Sequence, residues 1–225
     1  MQQESAGEPR RRASRNSLNP GVIVTAALAL LGDQGVEAFS MRSLAARLDV
    51  RPMALYTHFR SKDELFDAVR DQLLELTPPT TAGGWEDQIR AIAHRLRARI
   101  LQYPFLITLM LTRPLSGRET ADSAELILRS LRDAGFDRET TTRAHVTLLT
   151  HVLGATSWET QWAAQHPDPG QPSMFDALPR SRYPTLAELA PEMRLTAGGP
   201  AQFDFGLDLL LDGLRHKLPD DPEAH

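Results

Sequence analysis

The stretch that decides the fold is FSMRSLAARLDVRPMALYTHFRSKDELF, which runs from Phe39 to Phe66. It holds two short apolar-patterned runs, with Leu44 and Leu48 in the first and Leu55 and Phe59 in the second. In each run the apolar side chains recur at the spacing of one face of a helix. Only a few residues separate the runs. The pattern predicts two short helices joined by a tight turn, which is the form of a helix-turn-helix.

The second helix carries polar groups that a hydrophobic core does not need. Ala45 is small enough for the two helices to cross closely, and Pro52 begins the second helix. The outer side of that helix presents Tyr56 and His58, and Lys62 follows. Such groups can bind phosphate oxygens, and a helix fits a DNA major groove, which is about 12 Å wide. The segment therefore predicts a DNA-binding surface.

Capping residues predict one further helix on each side of this pair. The helix before the pair begins after Asn19-Pro20 and ends at Gly32 and Gly35. The helix after the pair begins at Ser61, with Glu64 three residues on as its capping-box partner. The predicted N-caps are Asn19 for the helix before the pair, Ser40 for the first helix of the pair and Ser61 for the helix after it.

The remainder of the chain also has a helical pattern. Prolines and glycines between positions 78 and 84 interrupt it and mark the predicted boundary between two regions. No apolar alternation with a period of two stands out, so the prediction is an all-α fold. Gly135 and Asp137 stop one helix and cap the next. A proline-rich stretch, 165–184, is predicted to be a lid, a binding element or disordered. The predicted helices cover 85–102, 105–112, 122–134, 139–164, 185–189 and 203–217.

Composition excludes several classes of protein. The 225 residues are 41% hydrophobic and include no cysteine, which rules out disulfides, zinc-thiolate sites and a cysteine nucleophile. No motif of a hydrolase, metalloprotease or phosphate-binding loop occurs, so we expect no enzyme, cofactor or metal site. No signal peptide or long apolar segment stands out, so we expect a cytoplasmic protein without a membrane span.

Charge is distributed unevenly along the chain. Between Arg10 and Lys62 there are nine basic side chains against three acidic ones, although the whole chain has a net charge of −4. A basic segment in an acidic protein favours an anionic partner for that segment alone. This distribution agrees with DNA binding by the N-terminal region.

Three spaced motifs resemble the DNA-binding domain of the TetR family of bacterial transcriptional regulators. They are FSMRSLA at 39–45, LYTHF at 55–59 and KDEL at 62–65, within a resemblance that covers about Pro20 to Leu74. The stretch FDFGLDLLLDGL, 203–214, is similar to the last dimerisation helix of the family. The resemblance implies an N-terminal three-helix helix-turn-helix DNA-binding domain and a C-terminal helical ligand-binding and dimerisation domain.

The resemblance also assigns roles to individual residues. Asp49 stands where the turn of the family commonly has glycine, and aspartate tolerates the left-handed conformation better than most residues. Because Met53 and Ala54 offer no hydrogen bonds, base recognition would rely on Arg42, methyl contacts and DNA shape. The residues assigned to the DNA-binding surface are Met41, Arg42, Pro52, Met53, Ala54, Tyr56, Thr57, His58 and Lys62.

Four regions follow from these observations. They are a disordered basic arm at 1–16, the DNA-binding domain at 17–77, the ligand-binding and dimerisation domain at 84–218, and a disordered tail at 219–225. In the arm, Arg10, Arg11 and Arg12 are candidates for a minor-groove contact.

We expect a homodimer, because two recognition helices about 34 Å apart read a palindromic operator. The predicted interface uses the 139–164 and 203–217 helices. Gly206 and Gly213 would allow close approach there, as would Gly154-Ala155. The apolar stripe of the last helix is Leu207, Leu210, Leu211 and Leu214. The alternative is that the glycines pack against helices of their own chain.

A small, mostly apolar or aromatic effector is implied by the family and by bulky groups on apolar helices. The candidates for its contacts are His94, Phe105, Met110, His145, His151, Trp158 and Trp162. For any one of them, core packing is the simpler explanation. The leading prediction is a repressor that its effector releases from DNA. The alternatives are an activator of the same family and a helical protein-interaction module that does not bind DNA.

Overall fold

The computed structural model describes residues 18–75, 83–113, 117–165, 178–196 and 198–218. Within these ranges the regular secondary structure is ten helices, so the all-α prediction is confirmed. Their bounds are α1 Pro20–Ala38, α2 Met41–Arg47, α3 Pro52–Tyr56, α4 Lys62–Leu74, α5 Trp85–Gln102, α6 Phe105–Thr112, α7 Arg118–Asp133, α8 Arg138–Gln165, α9 Pro184–Thr196 and α10 Pro200–Arg215. The chain forms two compact units, which divide between Leu65 and Phe66.

In the first unit, local signals set the start and end of α1. Asn19 accepts a hydrogen bond from the Val22 amide at 3.0 Å, and Pro20 lies in the first turn, as predicted. Gly32 does not end the helix. The helical conformation is interrupted at Gly35, which has φ 78°, a value that glycine adopts readily. The apolar side of α1 enters the core of this unit through Ile23, Val24, Ala27, Leu30 and Leu31.

The helix-turn-helix itself forms as the sequence predicts. Ser40 and Ser43 make reciprocal bonds at the start of α2, so a serine takes the capping-box position more often filled by Glu or Gln. Asp49 has φ 52° and therefore adopts the left-handed conformation expected of it. Ala45 is buried where α2 meets α3, and its carbonyl accepts a bond from the Val50 amide at 3.0 Å.

The start of α4 differs slightly from the expected capping box. Ser61 accepts a bond from the Glu64 amide at 3.0 Å, as predicted. The Glu64 carboxylate, however, binds the backbone amide of Arg60 instead of that of Ser61. Only half of the predicted capping box therefore forms. The Glu64 carboxylate fixes the backbone of Arg60, one residue before Ser61.

In the second unit α8 is the central helix, since it contacts α5, α7 and α10. Helices α5 and α6 have the predicted bounds, whereas α7, α9 and α10 begin earlier than predicted and α9 continues through Pro191. Gly135 has φ 101°, and Asp137 caps α8 through the Thr140 amide at 2.9 Å, as expected. Bonds from Thr140 to the Asp137 carboxylate lower the pKa of that group.

Some predictions lie outside the described residues. These are the arm at 1–16 with Arg10 to Arg12, the tail at 219–225, most of the interruption between 78 and 84, and most of the proline-rich stretch. The domain bounds 17–77 and 84–218 remain predictions.

Candidate DNA-binding and effector-binding sites

The outer side of α3 is exposed, while its inner side is fully covered. Leu55 is 0% exposed, whereas Met53 is 72% and Tyr56 42% exposed. Pro52 and Thr57 are exposed as well. A five-residue helix therefore has one face in the core and presents the other to solvent. That arrangement suits a helix that enters a groove of DNA.

Other predicted DNA-binding residues surround this face. Arg42 is exposed on the first turn of α2. Arg51, which is not among the predicted residues, is exposed at the N-cap of α3. Ala54 and His58 are half-buried. The surface therefore offers cationic groups beside an apolar patch, which fits a mixture of phosphate and methyl contacts.

Two predicted DNA-binding residues have different surroundings. The side chain of Met41 is buried, with 7% exposed, so the prediction that it faces DNA is wrong. Lys62 is half-buried, and its Nζ donates to the Phe39 carbonyl at 2.7 Å. The same Nζ lies 5.4 Å from the centre of the Phe39 ring. The ammonium group thus contacts the protein itself, which a sequence pattern alone does not reveal.

Two of the predicted effector residues flank one phenylalanine. The rings of His94 and His151 lie 5.5 and 5.2 Å from the ring of Phe203. His151 Nε2 is 3.1 Å from the Phe203 carbonyl, which can only accept, so this nitrogen donates. His94 Nε2 lies 3.1 Å from an Asp204 carboxylate oxygen. These contacts join α5, α8 and α10, and they are the contacts of helix packing.

The remaining effector candidates fall into separate groups. Trp158 and Trp162 stack with their ring centres 6.3 Å apart, and Trp158 is 58% exposed. Phe105 and Met110 are buried on α6, and the Phe105 ring contacts the ring of Tyr103. The structure therefore brings His94 and His151 together and the two tryptophans together, in two clusters of the described residues.

His145, on α8, is about half-buried, and burial lowers its pKa. Its Nδ1 is buried and has no hydrogen-bond partner within the described part of the chain. A neutral imidazole is therefore favoured in the folded protein.

An exposed apolar face runs along α8 and α10. Val146 and Trp158 of α8 are 56% and 58% exposed, and Phe205 and Leu209 of α10 are both 59% exposed. Gly154 and Gly213 also lie on the exposed sides of their helices, where a Cβ would meet no described atom within 4 Å. We call these six residues the outer face. Large exposed apolar side chains on two packed helices are typical of a surface that binds another protein chain.

This outer face differs from the predicted stripe. Leu207 and Leu211 are buried within their own chain, whereas Leu210 and Leu214 are half-buried and line a cleft between α8 and α10. A Cβ at Gly206 would lie 2.4 Å from His151 Cε1, so Gly206 packs against its own chain. The prediction that Gly206 serves a dimer contact is therefore wrong, and the alternative is right for this glycine.

Ion pairs connect the helices of the second unit. Arg97 forms a two-pronged bond with Glu159, with distances of 3.0 and 2.6 Å, and both side chains are mostly buried. Arg215 binds Glu86 in the same manner, and this contact lowers the pKa of the Glu86 carboxyl. Such planar pairs fix the relative position of two helices better than a single bond does.

A buried charged cluster on α4 is not predicted from the sequence. The side chain of Arg70 is 0% exposed and lies 3.3 Å from the Asp67 carboxylate. Arg113 lies 3.4 Å from the same carboxylate and stacks near Phe66. Burial raises the pKa of the neighbouring Asp71. The spacing of Asp67 and Arg70 along a helix is the available signal, but it is equally typical of an exposed pair.

Family models match both parts of the chain. Residues 23–69 match the model described as bacterial regulatory proteins of the tetR family. Residues 77–218 match the tetracyclin repressor-like C-terminal domain. The chain belongs to the TetR family, whose members are DNA-binding transcription factors and not enzymes. They bind DNA operators and small-molecule effectors and act as dimers.

Individual relatives agree with this assignment. An HTH-type transcriptional regulator of Saccharopolyspora erythraea is 34% identical over 85% of this chain and 82% of its own length. The class A tetracycline repressor from transposon 1721 of Escherichia coli is 31% identical over 88% and 90%. The structure of the Streptomyces coelicolor TetR family protein ActR in complex with actinorhodin has a TM-score of 0.75 and 26% identity over 90% and 99%.

One described helix, α1, is long and apolar enough to cross a membrane by length and composition alone. The core helix of a soluble domain has the same properties, and α1 lies largely within the tetR-family match. Transcriptional regulation implies an intracellular protein, and the cytoplasmic location stays a prediction.

Proposed function

We propose that the chain is a homodimeric repressor that binds a palindromic operator through α3 and leaves it when a small, mostly apolar or aromatic molecule binds. The observation that carries this proposal is the exposed outer side of α3, with Met53 and Tyr56 at its centre. The proposed DNA-contacting residues are Arg42, Pro52, Met53, Ala54, Tyr56, Thr57 and His58.

The proposed dimer interface is the outer face of α8 and α10. Its large side chains, among them Trp158 and Phe205, are exposed on a single chain. Beside it lies a cleft of about 440 Å³ between the first half of α8 and the second half of α10, lined by Leu148, Leu209 and Leu214 among others. Side chains of a second copy would fill this cleft and cover the apolar surface.

The effector part of the proposal is supported by relatives. ActR binds actinorhodin, and the Escherichia coli relative is named for tetracycline. Within the described part of this chain, the paired tryptophans Trp158 and Trp162 and the cluster of His94 and His151 around Phe203 are the candidate contacts. Release requires that the effector bind more tightly to the conformation that fits the operator poorly.

The test begins with the full-length protein and a pool of random duplexes, from which bound DNA is selected in repeated rounds. We expect enrichment of one palindromic sequence and an affinity that falls steeply with salt concentration. Tyr56→Phe, which removes only one hydroxyl of α3, should weaken binding, whereas Tyr103→Phe in the second unit should not. If no duplex is enriched, the chain is not a sequence-specific DNA-binding protein.

The effector is tested on the complex with the selected duplex. Actinorhodin, tetracycline and other aromatic compounds are titrated while DNA release is followed by fluorescence anisotropy. At least one should release the DNA. A compound that tightens the complex instead would contradict the proposed direction of control and favour a co-repressor.

A further inference from the structure

Met53 is the most exposed large apolar side chain in the described part of the chain, with 72% of its surface open to solvent. It lies on α3, two residues before Leu55, which is 0% exposed. Successive residues of a helix are about 100° apart around its axis, so Met53 lies about 200° from Leu55. Met53 is therefore on the side of α3 opposite the core, which is the side proposed to face DNA.

Thr57 lies beside Met53 on this side of α3. The two residues are four positions apart, a spacing that makes them neighbours on a helix, and Thr57 is exposed with a helical backbone conformation. The Thr57 hydroxyl donates its single hydrogen to the Ala54 carbonyl at 2.7 Å. Its side chain therefore has no donor left for an acceptor atom of a base. We call Met53 and Thr57 the α3 pair.

The residues next to the α3 pair add no donor of their own on α3 except Tyr56. Pro52 is exposed and has no donor, and Ala54 is half-buried and has an apolar side chain. Tyr56 is 42% exposed, and the family pattern assigns its hydroxyl to a DNA phosphate. The α3 pair therefore presents carbon atoms, a thioether sulfur and a hydroxyl oxygen whose hydrogen is already bonded.

One feature of the major groove matches such a surface. The edge of each base pair presents hydrogen-bond acceptors and donors there, and thymine adds an apolar group, its 5-methyl group. Contact between apolar groups is favourable, whereas a base acceptor covered by a surface without a donor loses its water and gains no partner. The unbranched, flexible side chain of methionine adapts well to an apolar contact of this kind.

We propose that the α3 pair is a reader of pyrimidine 5-methyl groups, which selects thymine in each half-site and accepts 5-methylcytosine in its place. This inference rests on the DNA-binding function proposed above, and it names the chemical group that α3 recognises. Thymine and 5-methylcytosine carry the same methyl group at the same ring position and differ in the hydrogen-bonding group beside it. A surface that contacts only the methyl group responds to that group in both bases.

The experiment uses the full-length chain and modified forms of the duplex that it selects. Each thymine of a half-site is replaced in turn by uracil, by cytosine or by 5-methylcytosine, with the matching change in the other half-site and guanine opposite both cytosines. Uracil differs from thymine by the methyl group alone, and cytosine differs from 5-methylcytosine in the same way. Fluorescence anisotropy at one salt concentration gives the affinity for each duplex.

Four variants of the protein test whether α3 causes the effect. Met53→Ala removes most of the apolar side chain, and Leu111→Ala is its matched control, because Leu111 is 66% exposed on α6. Thr57→Ser removes a methyl group and keeps the hydroxyl, whereas Thr57→Val keeps the methyl group and removes the hydroxyl. Circular dichroism verifies that each variant is folded.

At one thymine or more of the half-site, we expect the wild type to bind the uracil duplex about fifteenfold more weakly. This is about fourfold for each half-site, the scale of one buried methyl group. The wild type should prefer 5-methylcytosine to cytosine by a similar factor. Both ratios should approach one in Met53→Ala and fall in Thr57→Ser. Leu111→Ala and Thr57→Val should keep the ratios of the wild type.

Several results would overturn the inference. A selected half-site without thymine, or uracil duplexes that all bind as tightly as the original, would show that no methyl group is read. A cytosine duplex that binds as well as its 5-methylcytosine form would exclude the proposed acceptance. Ratios that stay as in the wild type in Met53→Ala or Thr57→Ser would show that another group reads the methyl. If no duplex is enriched, the proposed function fails as well, whereas in all the other cases DNA binding stands and only this inference fails.

Discussion

Gly206→Ala offers the sharpest test of how α8 and α10 pack. The new Cβ would lie 2.4 Å from His151 Cε1 and 3.2 Å from its Nδ1, so the imidazole must move. The ring cannot move freely, because it is bonded to the Phe203 carbonyl and lies against the Phe203 ring. Overpacking costs about 1–3 kcal/mol. Loss of the hydrogen bond adds roughly 0.5–1.5 kcal/mol.

Replacing glycine by alanine inside a helix stabilises the helix by about 1 kcal/mol. The net expectation is a destabilisation of about 0.5–3.5 kcal/mol, and each kcal/mol lowers Tm by roughly 2–4 °C in a chain of this size. Urea unfolding at one fixed protein concentration measures it, since dimerisation makes stability depend on concentration. Gly32→Ala is the control, because its Cβ would meet no described atom within 4 Å, and it should stabilise by about 1 kcal/mol.

A double mutant tests whether His151 causes the destabilisation by Gly206→Ala. In a His151→Ala background the ring is absent, so Gly206→Ala should become stabilising by about 1 kcal/mol. A neutral or stabilising effect of Gly206→Ala in the wild-type background would refute the close packing of Gly206 against His151. An unchanged loss in the His151→Ala background would place the clash elsewhere.

Three further predictions concern other parts of the chain. Ser40→Ala removes the cap of α2 and should lower the free energy of unfolding by about 1 kcal/mol, with an unchanged stability arguing against the cap. Phe205→Asp places a charge on the outer face and should yield a folded monomer in sedimentation, with helicity kept in circular dichroism; a persistent dimer would exclude this interface. Burial lowers the pKa of His145 below its usual 6.5, so the unfolded state takes up the proton first and stability falls as pH drops below about 6.5. His145→Leu should flatten that part of the stability curve in urea unfolding between about pH 7 and pH 5, and an unchanged curve would show that other groups cause it.

Local signals predict most of the DNA-binding unit. The caps at Asn19 and Ser40, the left-handed Asp49 and the core positions of α2 and α3 each depend on a few neighbouring residues. Such features can be identified from one sequence because backbone conformation and capping are local. The bounds of α5 and α6 are predicted correctly for the same reason.

The errors arise where a residue has a distant partner. Periodicity indicates that a residue lies on one side of a helix, but not which neighbour that side meets. The pattern assigns Gly206 to a second copy because it does not give the position of His151. The phosphate contact that the family pattern assigns to Lys62 stays a prediction, and the bond from its Nζ to the Phe39 carbonyl is a contact that the sequence does not give. The early start of α10 at Pro200 follows from the tolerance of proline in a first turn, although a Gly-Pro pair is also typical of a helix break.

Substitutions in α8 should fall into two classes, according to whether the residue is interior or exposed. His151, Val152 and Thr156 lie toward the interior of the chain, whereas Val146 and Trp158 are exposed on the outer face. A change at an interior position alters packing that each chain makes alone, so it should change the unfolding of monomer and dimer equally. A change at an outer position should alter association and leave the unfolding of an isolated chain nearly unchanged. If changes at Val146 or Trp158 destabilised a monomeric variant as much as changes at Val152 do, the outer face would be part of the core and the proposed interface would be wrong.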